Sequence, residues 1–242
     1  MSSLLKNTRY LTRVLLGQHR IGYEILRRIP SFSERCVHEN TECVIEGFPR
    51  SGNSFFLSAF KKWNPDVRVA HHVHVPQQVL CGLQKGLPVI VLIRNPIDAL
   101  SSSSLLIADN SLSVAIAINS YLEFYEKVLP VIEKTTIGRF EECTTKPHEI
   151  IRKMNGSSQK QYLFKEVLTK EEKETIFKDL TEHNKRMKQS ENLVPVPSEK
   201  KETLKNEVRD RIGSNRDFPS ASILYQEILS KNTTSGTSSI QV

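Results

Sequence analysis

Glu-Cys-Val-Ile-Glu-Gly-Phe-Pro-Arg-Ser-Gly-Asn-Ser-Phe-Phe-Leu-Ser-Ala-Phe, residues 42–60, is the stretch that decides the fold. An apolar run from Cys43 to Ile45 leads into a turn that contains Pro49 and Gly52, and helical spacing of aromatic residues follows. The stretch therefore predicts a strand, a tight loop and a helix. Backbone N–H groups in such a loop and at the N-terminus of the helix suit a phosphate or another anion.

The loop matches only part of the nucleoside-triphosphate pattern G-x-x-x-x-G-K-S/T. Gly47 and Gly52 have the required spacing and Ser54 stands at the hydroxyl position, but Asn53 replaces the lysine that reaches the outer phosphates. The cation in the loop is Arg50, three residues earlier. This difference argues against an ATPase, and it leaves a P-loop nucleotide or small-molecule kinase as the rival enzyme.

A second stretch repeats the arrangement of a strand followed by a helix. Residues 89–102 read Val-Ile-Val-Leu-Ile-Arg-Asn-Pro-Ile-Asp-Ala-Leu-Ser-Ser. The apolar run suits a parallel strand that is covered on both faces, and Pro96 suits the first turn of a helix. The two units predict an α/β fold with a P-loop-type, doubly wound, mostly parallel sheet flanked by helices. A ligand crevice is expected at the carboxyl ends of the strands.

Together the two stretches resemble the sulfotransferases that use 3′-phosphoadenosine 5′-phosphosulfate (PAPS). The first loop is similar to their 5′-phosphosulfate loop, P-K/R-S/T-G-T/S-T/S, and residues 94–102 are similar to their 3′-phosphate element, R-N/D-P-x-D-x-x-x-S. A predicted strand over 135–140 followed by Glu141 and Glu142 resembles the family's Y/F-E-D/E segment. The resemblance covers residues 42–142 and is to the compact bacterial-type branch.

The resemblance implies a role for each matching residue. Arg50 would lie near the bridging oxygen and stabilise charge on the leaving phosphate. The 5′-phosphate would be held by Arg50, Ser51, Gly52, Asn53 and Ser54, and the 3′-phosphate by Arg94 and Ser102. Asp98 is expected to cap or pair within its helix. The implied activity transfers a sulfuryl group in line from PAPS to a hydroxyl or amine of an unidentified small-molecule or glycan acceptor, without a metal.

A histidine is the expected general base. His74, in His-Val-Pro, resembles the family's H-x-P, and histidine suits proton transfer near neutral pH. His72, His71 and Glu46 are rivals for this role. Strand alternation over residues 67–74 predicts that His72 and His74 share a face and that His71 points the other way. A metal at the three histidines is disfavoured because no carboxylate or cysteine completes a ligand set.

The chain lacks a counterpart of the family's C-terminal segment R-K-G-x-x-G-x-W-K, so the adenine contacts stay open. Arg209, Arg211 or Arg216 would be the substitutes, and spacing does not choose among them. The charged stretch 170–190 predicts a helix on solvated surface, with a flap or substrate wall as the alternative. A non-catalytic protein that binds a nucleotide or a membrane is the rival of another class.

Charge is concentrated at the N-terminus. The 242-residue chain has a formal charge of +7, and residues 1–38 hold seven Lys or Arg against two Glu, a net +5. The remainder is close to neutral, which argues against a nucleic-acid partner. Residues 3–29 have apolar positions at helical spacing, which predicts either helices packed on the domain or a basic amphipathic segment in peripheral contact with an anionic membrane.

Length and composition favour one domain. We expect a basic helical segment over 1–38, one α/β domain over 39–231 and a disordered tail over 232–242. Four cysteines without C-x-x-C spacing, and no apolar run of about 20 residues, predict a cytoplasmic location. The sequence leaves the oligomeric state open.

Overall fold

A parallel sheet lies at the centre of the computed structural model, which describes residues 3–104, 111–186 and 199–234. Within these residues the strands are β1 (Cys43–Gly47), β2 (Val69–His71), β3 (Val89–Ile93) and β4 (Thr136–Arg139). They run in the spatial order β2-β1-β3-β4, and every neighbouring pair is parallel. This confirms the predicted α/β class with a parallel sheet flanked by helices.

The described helices alternate singly with the strands from β1 to β3, and the others precede β1 or come after β3. All the described helices are α1 (Ser3–Gly17), α2 (Arg20–Leu26), α3 (Pro30–Ser33), α4 (Asn53–Trp63), α5 (Pro76–Gln84), α6 (Pro96–Ser104), α7 (Ser111–Val128), α8 (Phe140–Thr145), α9 (Pro147–Ser157), α10 (Lys170–Arg186), α11 (Glu199–Gly213) and α12 (Phe218–Thr234). A 3₁₀ helix at Leu129–Lys134 continues α7, because Pro130 cannot donate the next backbone hydrogen bond. Residues 232–234 of the predicted disordered tail belong to α12, and residues 235–242 lie outside the described part of the chain.

Helices cover both faces of the sheet. One core lies between the sheet and the helices α5, α6, α7, α11 and α12, and the other lies between the sheet and α4, α9 and α10. Every residue of β1 and β3 is buried, as expected for parallel strands covered on both faces. Ile176 of α10 is also buried and Phe177 packs against Phe55, with ring centroids 5.1 Å apart. The described part of the charged helix expected over 170–190 thus has mostly exposed or half-buried side chains and packs on the domain through Ile176, and residues 187–190 lie outside the described part of the chain.

Strand β2 is shorter than predicted. The expected strand over residues 67–74 ends at His71, because His72 (φ 55°) and His74 (φ 57°) have left-handed backbone conformations that an extended strand does not allow. The chain leaves the sheet here and turns into α5. Consequently the predicted alternation of the three histidines does not hold.

The N-terminal helices pack on the domain. Tyr23 and Leu26 of α2 are buried in a small core with Val73 and Val75, the residues on either side of His74. The hydroxyl of Tyr23 donates a hydrogen bond to Gln78 Oε1 (2.6 Å). No helix in the described residues combines the length and the hydropathy needed to cross a bilayer.

Candidate functional site

The loop between β1 and α4 has a constrained backbone. Arg50 (φ 71°) and Gly52 (φ 94°) are left-handed. Gly47 has no room for a side chain, since a Cβ atom there would lie 2.3 Å from the carbonyl oxygen of Leu92. Asn53, at the position of the P-loop lysine, donates from Nδ2 to the carbonyl of Phe48 (3.0 Å). The Asn53 side chain therefore closes the loop, and its backbone N–H lies in the first turn of α4.

Two arginines from separate motifs meet above the sheet. Arg50 donates from Nε to Ser102 Oγ (2.8 Å), and Arg94 donates from Nη1 to the carbonyl oxygen of Arg50 (3.1 Å). The Arg94 guanidinium lies 3.8 Å from the ring centroid of Phe140. Burial, and secondly the charge of Arg94, lowers the pKa of Arg50 from 12.5 to about 10. Such a pair of neighbouring cations is stabilised by an anion.

The contact of Ser102 differs from the pairing that the resemblance implies. Ser102 was expected beside Arg94, whereas its hydroxyl contacts Arg50. The other serines of α6 are also buried: Ser101 donates to the carbonyl of Asp98 (3.2 Å), and within the described residues the hydroxyls of Ser103 and Ser104 have no hydrogen-bond partner. Three further polar side chains therefore line α6 close to the arginines.

Asp98 joins α6 to a different helix. Its Oδ1 accepts a hydrogen bond from Arg209 Nη2 of α11 (2.7 Å), so the expectation of a cap or a pair within α6 is wrong. Arg209 is one of the three arginines named above as substitutes for the missing C-terminal segment. Through Asp98 it is bonded to α6, the helix that carries Ser102. Arg211 lines a separate cavity of about 440 Å³, and Arg216 is exposed beside Asp217.

Glu46 holds the segment that carries His74. Its carboxylate is fully buried and accepts hydrogen bonds from the Val73 N–H (3.0 Å), from Gln78 Nε2 (3.2 Å) and from the Gly47 N–H (3.2 Å). His74 Nδ1 lies 3.3 Å from Glu46 Oε1 and 2.7 Å from the Gly47 carbonyl oxygen. Both neighbours of Nδ1 are acceptors, so Nδ1 carries the proton and Nε2 is the basic nitrogen.

His72 is occupied on both ring nitrogens. Its Nε2 lies 3.0 Å from Ser54 Oγ, and its Nδ1 lies 2.9 Å from Nδ1 of His71. Burial lowers the pKa of His72 well below its ordinary value and that of His71 to about 4, so both rings are neutral at pH 7. These contacts occupy both ring nitrogens of His72 but leave Nε2 of His74 and of His71, and a carboxylate, that of Glu46, lies against Nδ1 of His74.

Backbone strain is concentrated at this site. The described non-glycine residues with positive φ are Arg50, His72 and His74, and each carries a side chain of the candidate site. Such conformations are costly and persist where the surrounding structure enforces them, which is common at functional sites.

A cleft runs along the edge strand β2 and ends at His71. Its volume is about 580 Å³, and α4 contributes Leu57 and Lys61 to its wall. Ser54, one or two turns earlier on α4, contacts His72. Nδ1 of His71 lies 2.9 Å from Nδ1 of His72, so the cleft reaches the candidate site at His71.

Within residues 3–104, 111–186 and 199–234, no three His, Cys, Asp or Glu side chains are arranged so that they could hold a metal ion together. Comparison of the chain with known protein families, with curated proteins and with solved structures finds no match.

Proposed function

We propose that the chain is a PAPS-dependent sulfotransferase, an enzyme that moves a sulfuryl group from PAPS to a hydroxyl or amine. The proposal rests on the contact between two motifs that are distant in the sequence. Arg50 contacts Ser102, 52 residues later, and Arg94 contacts the backbone of Arg50, 44 residues earlier. These are the motifs that resemble the 5′-phosphosulfate loop and the 3′-phosphate element. Their contact supports one binding site for a nucleotide with phosphates at both positions.

The residues present fit such a ligand. Both guanidinium groups are half-buried, and burial together with the charge of Arg94 lowers the pKa of Arg50, so a polyanion would offset both the loss of hydration and the repulsion. The loop residues 50–54 would hold the 5′-phosphosulfate, with the first turn of α4 supplying backbone donors. Arg94 and Ser102 would hold the 3′-phosphate, with Ser103 and Ser104 close by on α6.

Each polar side chain then has a defined task. Bound PAPS supplies an activated sulfuryl group whose leaving group is a phosphate. Arg50 stabilises the negative charge that develops on that phosphate. His74 Nε2 accepts the proton of the acceptor hydroxyl or amine, while Glu46 fixes the ring and stabilises its protonated form. No step assigned to these residues needs a metal.

The cleft along β2 is the proposed acceptor site. It reaches His71, which is hydrogen-bonded to His72 and thereby connected to the loop. Its volume of about 580 Å³ falls in the range of small-molecule pockets and suits a small-molecule or glycan acceptor. The described cysteines are free thiols, which supports a cytoplasmic site of action.

The kinase alternative is weaker. A P-loop kinase needs a lysine at the position of Asn53, and the side chain of Asn53 is instead committed to the Phe48 carbonyl.

Transfer of label from radiolabelled PAPS to a panel of alcohols, amines and glycans tests the proposal. We expect labelled product with the wild-type chain and at least about a 10²-fold lower rate with Arg50→Ala. Arg152→Ala is the matched control, because Arg152 is a surface arginine paired with Glu149 and Glu166, and it should keep the wild-type rate. Phosphate transfer from ATP with magnesium, without any transfer from PAPS, would contradict the proposal.

A further inference from the structure

Helices α1 and α2 expose large apolar side chains to solvent. Leu11 and Leu15 of α1 are 36% and 64% exposed, and Ile21 and Ile25 of α2 are 79% and 44% exposed. The described residues contain seven large apolar side chains that are exposed, and these four are the majority. Scattered single cases are ordinary on a protein surface, but two pairs on adjoining helices are not.

The exposed pairs belong to faces that the core does not use. Within each pair the residues are four positions apart, so they lie one turn from each other on the same side of the helix. On α2 the opposite side buries Tyr23 and Leu26 against the domain, and on α1 the neighbouring Val14 is buried. We call the surface formed by the exposed side chains Leu11, Leu15, Ile21 and Ile25 the outer face.

The outer face lies in a predominantly basic segment of the chain. Residues 1–23 contain no Asp or Glu, and the first acidic residue, Glu24, is paired with Arg27 (2.7 Å). Arg20 and Arg28 are exposed at the two ends of α2 and flank Ile21 and Ile25. Exposed basic side chains therefore flank the apolar pair of α2 in sequence.

We propose that the outer face of α1 and α2 binds the surface of an anionic lipid bilayer. Exposed leucine and isoleucine side chains enter the boundary between headgroups and acyl chains, and the basic residues contact anionic headgroups. A second copy of the chain would place one +5 segment against another, which like-charge repulsion opposes. Charge complementarity therefore favours a lipid surface.

Packing fixes the outer face relative to the candidate site. Gly17 at the end of α1 lies so close to Val75 that a Cβ atom would approach within 2.1 Å of that side chain. Tyr23 and Leu26 pack with Val73 and Val75, which flank His74. A bound bilayer would thus hold the His74 segment at a fixed distance from its surface. The proposal itself does not depend on the proposed sulfotransferase activity.

Sedimentation of the full chain with lipid vesicles tests the proposal. We expect binding to phosphatidylcholine vesicles that contain about 30 mol % phosphatidylserine, weaker binding at higher salt, and little binding to pure phosphatidylcholine. The double variant Leu15→Ser, Ile21→Ser should weaken binding about tenfold or more, and Arg20→Gln with Arg28→Gln should do the same. Ile223→Ser is the matched control, because Ile223 of α12 is 69% exposed at a distant point of the sequence, and it should bind as wild type.

Three results would overturn the proposal. One is equal binding to neutral and anionic vesicles, and a second is an equal loss with Ile223→Ser. The third is an oligomer in sedimentation equilibrium that the Leu15→Ser, Ile21→Ser variant dissociates, which would assign the outer face to contact between copies. The Leu15→Ser, Ile21→Ser variant removes apolar side chains only, and the Arg20→Gln, Arg28→Gln variant removes charges only. Together they separate the apolar contribution to vesicle binding from the electrostatic one. Unchanged thermal unfolding would show that each variant is folded.

Discussion

Replacing Glu46 with glutamine should destabilise the fold and slow the proposed reaction together. The carboxylate lies between two pairs of donors. Oε2 accepts from the Val73 N–H and from Gln78 Nε2, while Oε1 accepts from the Gly47 N–H and lies 3.3 Å from His74 Nδ1. Glutamine has the same shape but keeps only one oxygen, so its NH₂ group must face one of the two pairs of donors.

The magnitude follows from the number of donors left without an acceptor. Gln78 cannot relieve the conflict by rotating its amide, because its Oε1 accepts from Tyr23 and its Nε2 also donates to the Arg35 carbonyl (3.0 Å). His74 Nδ1 and Gln78 Nε2 each keep a second acceptor, so in either orientation one buried donor, the Gly47 N–H or the Val73 N–H, loses the Glu46 oxygen. We expect the free energy of unfolding to fall by about 1–3 kcal/mol.

Urea denaturation followed by circular dichroism measures this loss. Glu24→Gln is the control, because Glu24 is a half-exposed carboxylate paired with Arg27 near the surface, and its replacement should cost less than about 1 kcal/mol. If the free energy of unfolding of Glu46→Gln lies within about 1 kcal/mol of the wild-type value, the buried carboxylate does not accept the hydrogen bonds described above. The assignment of Glu46 as the group that positions His74 then fails.

Three further results are expected. Arg94→Ala should weaken calorimetric binding of 3′-phosphoadenosine 5′-phosphate far more than binding of ADP, and equal losses would remove its 3′-phosphate role. His74→Ala should lower turnover roughly 10²-fold with nucleotide affinity kept, whereas an unchanged rate would shift the role of base to His71, which lines the cleft. Because burial lowers the pKa of His71 from 6.5 to about 4, the unfolded chain binds more protons between these values and stability falls as the pH drops through them. His71→Gln should remove up to about 3 kcal/mol of that pH dependence, measured by urea denaturation at each pH, and an unaltered dependence would contradict the lowered pKa.

The sequence predicts the elements that local patterns define. The apolar run before Gly47 and the helical spacing after Gly52 give β1 and α4, and the run before Arg94 with Pro96 gives β3 and α6. The resemblance to the PAPS-dependent sulfotransferases implied that Arg50 and Arg94 serve one ligand, and both follow strands whose carboxyl ends lie at one edge of a parallel sheet. These parts of the fold need only short-range information.

Tertiary contacts are the part that local patterns do not show. Period-two spacing extended β2 through His74, whereas the hydrogen bonds that Glu46 accepts hold this segment in left-handed conformations. Gln78 was not singled out, although a polar side chain on the buried side of α5 is a signal that a partner is needed. The pairing of Asp98 with Arg209 joins residues 111 positions apart and has no local pattern.

Calorimetric binding of 3′-phosphoadenosine 5′-phosphate, beside ADP and ATP and without magnesium, tests the proposed function most directly. The meeting of Arg50, Arg94 and Ser102 predicts that the 3′-phosphorylated nucleotide binds more than about tenfold tighter than ADP, some 1.4 kcal/mol. A preference for ATP that appears only with magnesium would contradict it in favour of a kinase, and no binding of any nucleotide would contradict it in favour of a non-catalytic protein.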